Sequence, residues 1–587
     1  MIEPPLANPR GRLKGRAFLR ALPWLVLSAL LAACGGGGDS GASSFQPPGG
    51  GGGGGGGGGV PGPVTLSGTV TYSKVPFSAT SGQGLNFAAS APAPVRGATV
   101  EIVGSAGLSV LTSTTTNASG QYSVSVPGNT EVFVRVRAEL RRTGTPAWNV
   151  TVRDNTAGEA LYTLDGQSFN TGAASLTRNL NAPTGFTAGS GYTGARAAAP
   201  FAILDAVYEA VQLVLSADPN TSFPELRVQW SSRNIPCSGS SNPSFCDSSA
   251  AARARGEIGT TFFAGTSPRQ IFVLGDASSD TDEFDSHVIA HEWGHYYQSA
   301  FSRDDSLGGE HSGSQRLDLR VAFSEGWGNA FSGMVLRDPL YRDSFVVGGG
   351  QRDGSVNVES NTVPGIAGWF SSASVQSIFY DLFDSAADGV DGVNLGFGPI
   401  HTVMTNELRT TRAPASIYPL VRALQLRQPS ASAAIGQLVS AQQIATGSDD
   451  FGSNEVNAGG DARNVPIYPL LNTGVALRVC SDNTAGAYNK LGNRRFARIE
   501  LANTNTVTVR ADNAPGSGVA PSDPDLLLYG AGVLRGNAES LGNGVETLTV
   551  PTLPPGIYVL EVYEFSNINP GGGGRGDTCF DLLLTLS

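Results

Sequence analysis

The stretch from Ser286 to Phe301, SHVIAHEWGHYYQSAF, holds the residues whose types and spacing could do chemistry. Side chains four residues apart on a helix lie one above the other, so His291 and His295 can present both imidazoles to one metal ion. Glu292 projects beside them, where it can take a proton from a water on that ion. Asp285 or the first serine of the stretch is a suitable N-cap, which supports a helix here. The pattern therefore predicts a zinc site on a helix.

A catalytic zinc takes three protein ligands and keeps one open position, so the chain has to supply a third ligand. Glu325 lies inside the helical pattern RVAFSEGWGNAFSGMVL, where an ionisable group among apolar and small neighbours is costly unless it is paired or metal-bound. Gly328 and Ser332 on the same face would let this helix approach the first one closely. The loop between the two helices holds the other candidates for the third ligand: Asp304, Asp305, Glu310, His311 and Asp318.

His287 extends the histidine stripe but cannot share the ion. Eight helical residues separate it from His295, which is about 12 Å along the helix axis. We expect His287 to pack or to form a hydrogen bond.

The motif HEWGH followed by FSEGWGN, on two helices behind β-strands, resembles the catalytic domain of gluzincin-type zinc metallopeptidases. Metzincins are excluded, because Gln298 and Phe301 stand where that branch carries glycine and histidine. The resemblance implies an α+β zincin-like core that binds Zn²⁺ through His291, His295 and Glu325. It also implies that Glu292 is the general base.

Further roles follow from the same resemblance. A residue one turn past the ligand glutamate often supports a ligand histidine in such enzymes, and Asn329 occupies that position. An oxyanion donor usually comes from a tyrosine or histidine on a later element, and the candidates are His401 and Tyr380. The sequence departs from the thermolysin-like pattern in having Ser324 before the ligand glutamate and Gly328 with Asn329 after it.

The N-terminal residues 1–33 are predicted to be a signal peptide, with a basic segment followed by the short apolar run 21–33. The ending Leu-Ala-Ala-Cys resembles a bacterial lipobox, which implies cleavage before Cys34 and lipidation of that cysteine. An ordinary secretory cleavage site is the alternative. Residues 34–63 are a Gly-rich, flexible tether. Because Gly35 is not the aspartate associated with inner-membrane retention, an outer-membrane or cell-surface position is favoured.

The charge of the exported chain argues against nucleic acid as a partner. Removing residues 1–33 takes away five basic residues and one acidic residue, which leaves 38 − 5 = 33 basic and 49 − 1 = 48 acidic residues. The formal charge is then 33 − 48 = −15. Binding to nucleic acid or to anionic lipid would require basic patches.

Four cysteines remain after Cys34, an even number in a disulfide-permissive setting. Cys237 and Cys246 flank a short loop, and Cys480 and Cys579 bracket the C-terminal segment. We predict these two disulfides.

Two β-rich regions flank the centre of the chain. Residues 64–186 alternate with period two, which predicts a β-sandwich with an extension, and part of this region resembles carboxypeptidase-regulatory or Cna B-type modules. Residues 473–587 alternate in the same way and resemble the bacterial pre-peptidase C-terminal (PPC) domain. In that resemblance Asp523 and Asp525 could bind Ca²⁺, although an ordinary Asx/Pro turn is the favoured explanation of these residues. Residues 187–472 would form the zinc metallopeptidase domain of this multi-domain chain.

The sequence therefore predicts a lipid-anchored, exported zinc endopeptidase that acts on proteins or peptides. Its strand RQIFVLGD, residues 269–276, is expected to pair with an extended substrate. The alternative is a surface adhesion or carbohydrate-binding lipoprotein whose zinc-fold domain is inactive or acts on something other than peptides.

Overall fold

The computed structural model describes residues 62–236, 249–361, 363–385, 392–447, 449–514, 522–542, 544–569 and 574–587. Outside these ranges lie the predicted signal peptide, all but the end of the predicted tether, the lipidation site Cys34 and the predicted disulfide between Cys237 and Cys246.

The N-terminal region is built from strands with alternating buried and exposed side chains. In the first strand every second residue from Val64 to Tyr72 is buried, as period-two alternation predicts. The strands of this region are β1 (Val64–Lys74), β2 (Ala91–Pro94), β3 (Ala98–Gly104), β4 (Val110–Thr115), β5 (Gln121–Val126), β6 (Glu131–Arg142), β7 (Trp148–Asp154), β8 (Ala160–Leu161), β9 (Thr163–Asp165), β10 (Phe169–Asn170), β11 (Leu176–Thr177), β12 (Leu180–Ala182), β13 (Phe186–Thr187) and β14 (Gly191–Tyr192).

The central region is mainly helical, with a few strands. It comprises α1 (Ala199–Ala217), β15 (Leu226–Trp230), α2 (Ala250–Arg255), β16 (Phe262–Ala264), β17 (Arg269–Val273), α3 (Ser286–Phe301), α4 (Leu319–Leu336), β18 (Leu340–Val347), β19 (Gly350–Asn357), α5 (Ser372–Phe383), α6 (Phe397–Thr405), α7 (Glu407–Thr410), α8 (Ile417–Arg427) and α9 (Ser432–Ala441).

One sheet crosses the domain boundary that the sequence suggested at residue 186. Its strand order is β16-β17-β15-β7-β6-β3-β4, and β15 pairs in parallel with both β7 and β17. The strands that precede helix α3 and the strands of the N-terminal region therefore share one sheet rather than forming two. The hydrophobic core is continuous across the same boundary, from Val64 to the helices of the central region.

Helix α1 packs inside this core. It is long and apolar enough to span a membrane by length and composition alone, but 61% of its apolar window is buried in the protein. Its apolar character is accounted for by contacts with α3, α4, α6 and the large sheet.

The C-terminal region forms two four-stranded antiparallel sheets, with the orders β20-β27-β22-β25 and β21-β26-β23-β24. A second hydrophobic core lies between them. The strands are β20 (Leu477–Ser481), β21 (Arg494–Leu501), β22 (Asn505–Asn513), β23 (Pro524–Gly530), β24 (Val533–Ala538), β25 (Val545–Leu553), β26 (Gly556–Glu564) and β27 (Thr578–Leu586), and a short helix α10 (Phe565–Ile568) follows β26. The predicted disulfide between Cys480 and Cys579 is confirmed and joins β20 to β27.

A buried ionic network attaches this C-terminal region to helix α4. Arg320, in the first turn of α4, donates to Glu561 on β26 at 2.8 Å and to Asp318 at 2.9 Å. Arg494 on β21 donates to the other oxygen of Glu561 at 3.1 Å. The helix that carries Glu325 is therefore fixed at its N-terminal end by the C-terminal sheets.

Candidate metal centre

Helix α3 carries the two histidines on one buried face, as the four-residue spacing predicts. The side chains of His291, Glu292 and His295 are almost completely buried. The helix begins after Asp285, which occupies the N-cap position but forms no side-chain cap hydrogen bond. Its carboxylate accepts instead from the backbone N–H of Ser344 at 2.6 Å. The expected N-cap role of Asp285 is therefore replaced by a bond to β18.

Helix α4 approaches α3 through glycine. A Cβ on Gly294 would lie 3.2 Å from Cα of Gly328, and a Cβ on Gly328 would lie 2.8 Å from Cε1 of His291. Trp327 Nε1 also donates to the carbonyl oxygen of Gly294 at 2.9 Å. The small residues thus let the two helices come close enough for Glu325 to reach the histidines.

Three ligand atoms converge between these helices. The Nε2 atoms of His291 and His295 lie 3.0 Å apart, and Oε2 of Glu325 lies 3.4 Å from the first and 3.6 Å from the second. His291, His295 and Glu325 form a group whose ligand atoms all lie within 4.8 Å of one another. The structure therefore brings together the three residues that the sequence predicted as ligands, in a cluster that could bind a metal ion.

The hydrogen bonds of His291 fix which of its nitrogens faces the cluster. Asn329 Nδ2 donates to Gln376 Oε1 at 2.9 Å, which leaves the amide oxygen of Asn329 to accept from His291 Nδ1 at 2.9 Å. Because Nδ1 then carries the proton, Nε2 presents a lone pair. Asn329 is the residue that was predicted from the sequence to support a ligand histidine.

Hydrogen bonds also fix which nitrogen of His295 faces the cluster. Ser324 donates its hydroxyl hydrogen to Gln298 Oε1 at 2.9 Å, so its oxygen accepts from His295 Nδ1 at 3.2 Å. Two lone pairs and one carboxylate oxygen therefore point at one another in a buried space. Such a set of acceptors is repulsive unless a cation lies between them, and two imidazoles with one carboxylate suit zinc.

The charges of these three residues are those of a group that can bind a metal ion. Burial lowers the pKa of His291 to about 4, although Glu325 opposes the shift, so the imidazole is neutral at pH 7. Burial alone would raise the pKa of Glu325, but the histidines around it lower that pKa well below its usual range. Neutral imidazoles and an ionised carboxylate are the forms that bind metal.

Among the alternative third ligands, His311 lies closest to the cluster. Its Nε2 is 3.0 Å from Oε2 of Glu325, and its Nδ1 bonds the carbonyl oxygen of Gly309 at 3.0 Å. Asp318 caps α4 and pairs with Arg320, while Asp305 pairs with Arg303. Asp304 accepts from the backbone N–H of Ser306, and the side chain of Glu310 is exposed.

The two candidate oxyanion donors lie away from the three ligands. His401 bonds the hydroxyl of Tyr297 at 2.8 Å and packs against Phe397. Tyr380 packs against Phe383 and over Gly333. Within the described ranges neither side chain makes a hydrogen bond to His291, His295 or Glu325, and both have the surroundings of core residues.

His287 forms the hydrogen bond that its position suggested. Its Nδ1 lies 3.1 Å from the hydroxyl of Ser332 on α4, and its ring packs against Tyr341. Tyr341 also lies beside the cluster, with its ring centroid 6.2 Å from that of His291. Tyr341 was not predicted, because the hairpin of β18 and β19 that carries it has no motif and its approach to α3 is a tertiary contact.

Two other sequence predictions have different outcomes. Asp523 and Asp525 are not part of any potential metal-binding group found in the described part of the chain. Strand β17, expected to pair with substrate, is an interior strand because β16 and β15 flank it, so β16 ends the sheet.

Comparison of the sequence with protein-family profiles finds no match, and comparison with curated proteins finds none either. Several solved structures are similar to parts of the chain, among them the following two. The pre-peptidase C-terminal domain of collagenase from Bacillus anthracis is 14% identical, covers 20% of this chain and 94% of its own, and has a TM-score of 0.15. Aeromonas hydrophila PliG, a periplasmic inhibitor of g-type lysozyme, is 13% identical, covers 20% of this chain and 98% of its own, and has a TM-score of 0.14.

Proposed function

We propose that this chain is a zinc-dependent peptidase. The observation that carries the proposal is the convergence of His291 Nε2, His295 Nε2 and Glu325 Oε2 in a buried space where each imidazole has its other nitrogen bonded. Zinc bound there would supply Lewis acidity, lowering the pKa of a water toward about 7 and polarising a carbonyl group.

Glu292 has the role of general base in this proposal. It follows His291 directly on α3 and is buried with the ligands. Its carboxylate takes the proton from the attacking water and then delivers it to the leaving amine, so that one group serves both steps. Asn329 and Ser324 hold the ligand rings in the required tautomer, and α4 holds Glu325 against them.

The experiment compares Glu292→Gln with the full-length wild-type chain. We expect both to contain about one zinc per chain by elemental analysis, because Glu292 is not a ligand. Hydrolysis of a denatured protein should fall by about 10²–10⁴-fold in the variant, the usual contribution of a general base. Glu310→Gln, which changes an exposed glutamate in the loop between α3 and α4, is the matched control and should retain activity.

Two results would contradict the proposal. One is a folded wild-type chain that binds no zinc, and the other is equal hydrolysis by wild type and Glu292→Gln. A wild-type chain that binds zinc but cleaves no protein would favour the adhesion or carbohydrate-binding alternative, in which the zinc site is structural.

We also propose that the enzyme is an exported lipoprotein held at the cell envelope through Cys34. The support is the sequence alone, namely the basic and apolar leader that ends in Leu-Ala-Ala-Cys. Replacing Cys34 by serine in cells should move the protein from the membrane fraction to the soluble fraction. Retention in the membrane fraction would contradict a lipid anchor.

A further inference from the structure

Four aspartates form a second acidic site beside the zinc-site helix. Asp280, Asp282 and Asp285 come from the loop between β17 and α3, and Asp343 comes from β18. One carboxylate oxygen of each lies within 4.8 Å of those of the others. We refer to these four residues as the aspartate cluster.

No side-chain cation in the described ranges forms an ion pair with the aspartate cluster. Arg196 pairs with Glu283, which lies between Asp282 and Asp285 in the chain, and its guanidinium also donates to the carbonyl oxygen of Gly275. On the hairpin, Arg342 pairs with Asp353 at 2.8 Å instead. The negative charge of the aspartate cluster is therefore left without a balancing positive side chain.

The hydrogen bonds of the aspartate cluster satisfy only some of its oxygens. Both oxygens of Asp285 accept from Ser344, at 2.6 Å from its backbone N–H and 3.1 Å from its hydroxyl. Oδ2 of Asp282 accepts from the hydroxyl of Thr261. Oδ1 of Asp282, on a side chain that is 3% exposed, has no hydrogen-bond donor in the described part of the chain, and neither does Oδ1 of Asp280.

Such a group can exist only if protons or a cation neutralise it. Burial, reinforced by the neighbouring carboxylates, raises the pKa of Asp282 to about 8, and burial raises that of Asp343 to about 6. The pKa of Asp285 is raised for the same reasons. A bound divalent cation would remove the repulsion that produces these shifts.

We propose that the aspartate cluster binds a hard divalent cation, with calcium the best match. Every donor is a carboxylate oxygen, and calcium takes six to eight oxygen ligands in flexible geometry. Zinc in proteins is usually held by nitrogen or sulfur, and none of these donors provides either. Magnesium is less suitable because it needs a near-ideal octahedron and keeps several waters.

The cation would hold the start of the zinc-site helix in place. Asp285 immediately precedes α3, and His291 follows six residues later. Asp343 belongs to the hairpin that also presents Tyr341 to His291. A cation that joins the loop to β18 therefore fixes the N-terminal end of α3 against the hairpin, while lying outside the zinc ligands.

Calcium binding to the full chain tests this inference. After chelation and restoration of one equivalent of zinc, calcium chloride is titrated into wild type, Asp282→Asn and Asp343→Asn by calorimetry. We expect a calcium site in wild type that is at least tenfold weaker in both variants. Asp353→Asn is the matched control, because Asp353 is a buried aspartate of the same hairpin that already has an arginine partner. It should bind calcium as wild type does.

Thermal unfolding provides a second readout that does not require activity. Calcium should raise the melting temperature of wild type and of Asp353→Asn, but not that of the two cluster variants. Wild type that shows neither calcium binding nor a shift would overturn the inference, as would unchanged binding in both cluster variants. Either result would mean that shared protons neutralise the group. Repeating the titration with Glu292→Gln separates this result from the proposed peptidase activity, since that variant should bind calcium normally.

Discussion

At the scale of single residues, the proposed zinc site depends on partners that orient each imidazole. The pair of Asn329 and Gln376 sets the tautomer of His291, and Ser324 with Gln298 sets that of His295. Residues of this kind make no contact with the metal, yet they fix the direction and basicity of a ligand. Their loss should weaken metal binding without removing a ligand.

Asn329→Ala tests the first of these pairs. The substitution removes the acceptor of His291 Nδ1, so the ring can rotate or change tautomer. We expect zinc affinity to fall by about 10–100-fold, measured by competition with a chromophoric chelator. Asn406→Ala, which alters an exposed asparagine after α6, is the control and should leave affinity unchanged. Equal affinities for Asn329→Ala and wild type would show that His291 needs no support.

The three candidate ligands of this site could be predicted from the sequence, but some of the residues that surround them could not. His291 and His295 could be paired from spacing alone, because a helix fixes the relative positions of residues four apart. Glu325 lies on a second helix, and it could be predicted as a ligand because an ionisable residue among apolar neighbours in a helix needs a partner. His311 was one of five candidates in the loop between the two helices, and only tertiary contacts single it out as the one that touches Glu325. Tyr341 reaches the cluster on a hairpin that no local sequence signal marks.

At the scale of elements, the close approach of α3 and α4 depends on Gly294 and Gly328, of which Gly328 was predicted from the sequence to lie at this contact. Gly328→Ala should disturb the site, because the new methyl carbon would lie 2.8 Å from the ring of His291. We expect weaker zinc binding and a loss of about 1–3 kcal/mol in the free energy of unfolding. Both are measurable, by chelator competition and by urea denaturation.

The control for this prediction is Gly436→Ala in α9. A Cβ there would make its nearest contact at 3.6 Å, an ordinary distance, so alanine should be neutral or stabilise the helix by up to about 1 kcal/mol. If Gly328→Ala changes zinc binding and the free energy of unfolding as little as Gly436→Ala does, the contact between α3 and α4 tolerates an added methyl group and the prediction is wrong.

The elements themselves were largely predictable, whereas their pairing was not. The alternation in WNVTVRD predicts a strand, and the same residues form β7. Neither segment on its own predicts that β7 pairs with β15, which follows it after α1 and more than 70 residues of chain. Register between distant strands is set by what the whole core buries, which explains why a boundary was predicted where the sheet is continuous.

At the scale of the whole molecule, buried charges join the C-terminal sheets to helix α4, which carries Glu325. Glu561→Gln would leave Arg494 buried without its anion and weaken the attachment of Arg320. Breaking one side of a buried ion pair costs about 3–5 kcal/mol, and we expect a loss of that order in urea denaturation. The control is Asp581→Asn, which removes the partner of the exposed Arg478 and should change stability little.

Lys490 gives this interface a pH dependence. Its ammonium group donates to the carbonyl oxygen of Glu310 at 2.6 Å, and burial lowers its pKa from 10.5 to about 8. Between these two values the folded chain binds fewer protons than the unfolded chain, so the free energy of unfolding rises with pH.

The measurement compares wild type with Lys490→Met by urea denaturation from pH 7.5 to 9.5. The stability of wild type should increase relative to the variant by about 1–2 kcal/mol over this range. Groups that titrate alike in both proteins cancel in the difference. A difference that is constant with pH would mean that the ammonium group is solvated in the folded state.

The sheet that runs from β16 to β4 also bears on how the protein could be activated. If the proposed peptidase were matured by a cut between β7 and β15, the N-terminal piece would have to leave this sheet. Here Val150 to Arg153 of β7 pair in register with Leu226 to Gln229 of β15, so a cut in the connection between them would divide the chain without freeing either part. A nicked molecule should migrate as two bands on a denaturing gel and as one particle in gel filtration. Seven of the ten strands of the sheet behind helix α3 come from the N-terminal region, so its removal would dismantle that sheet.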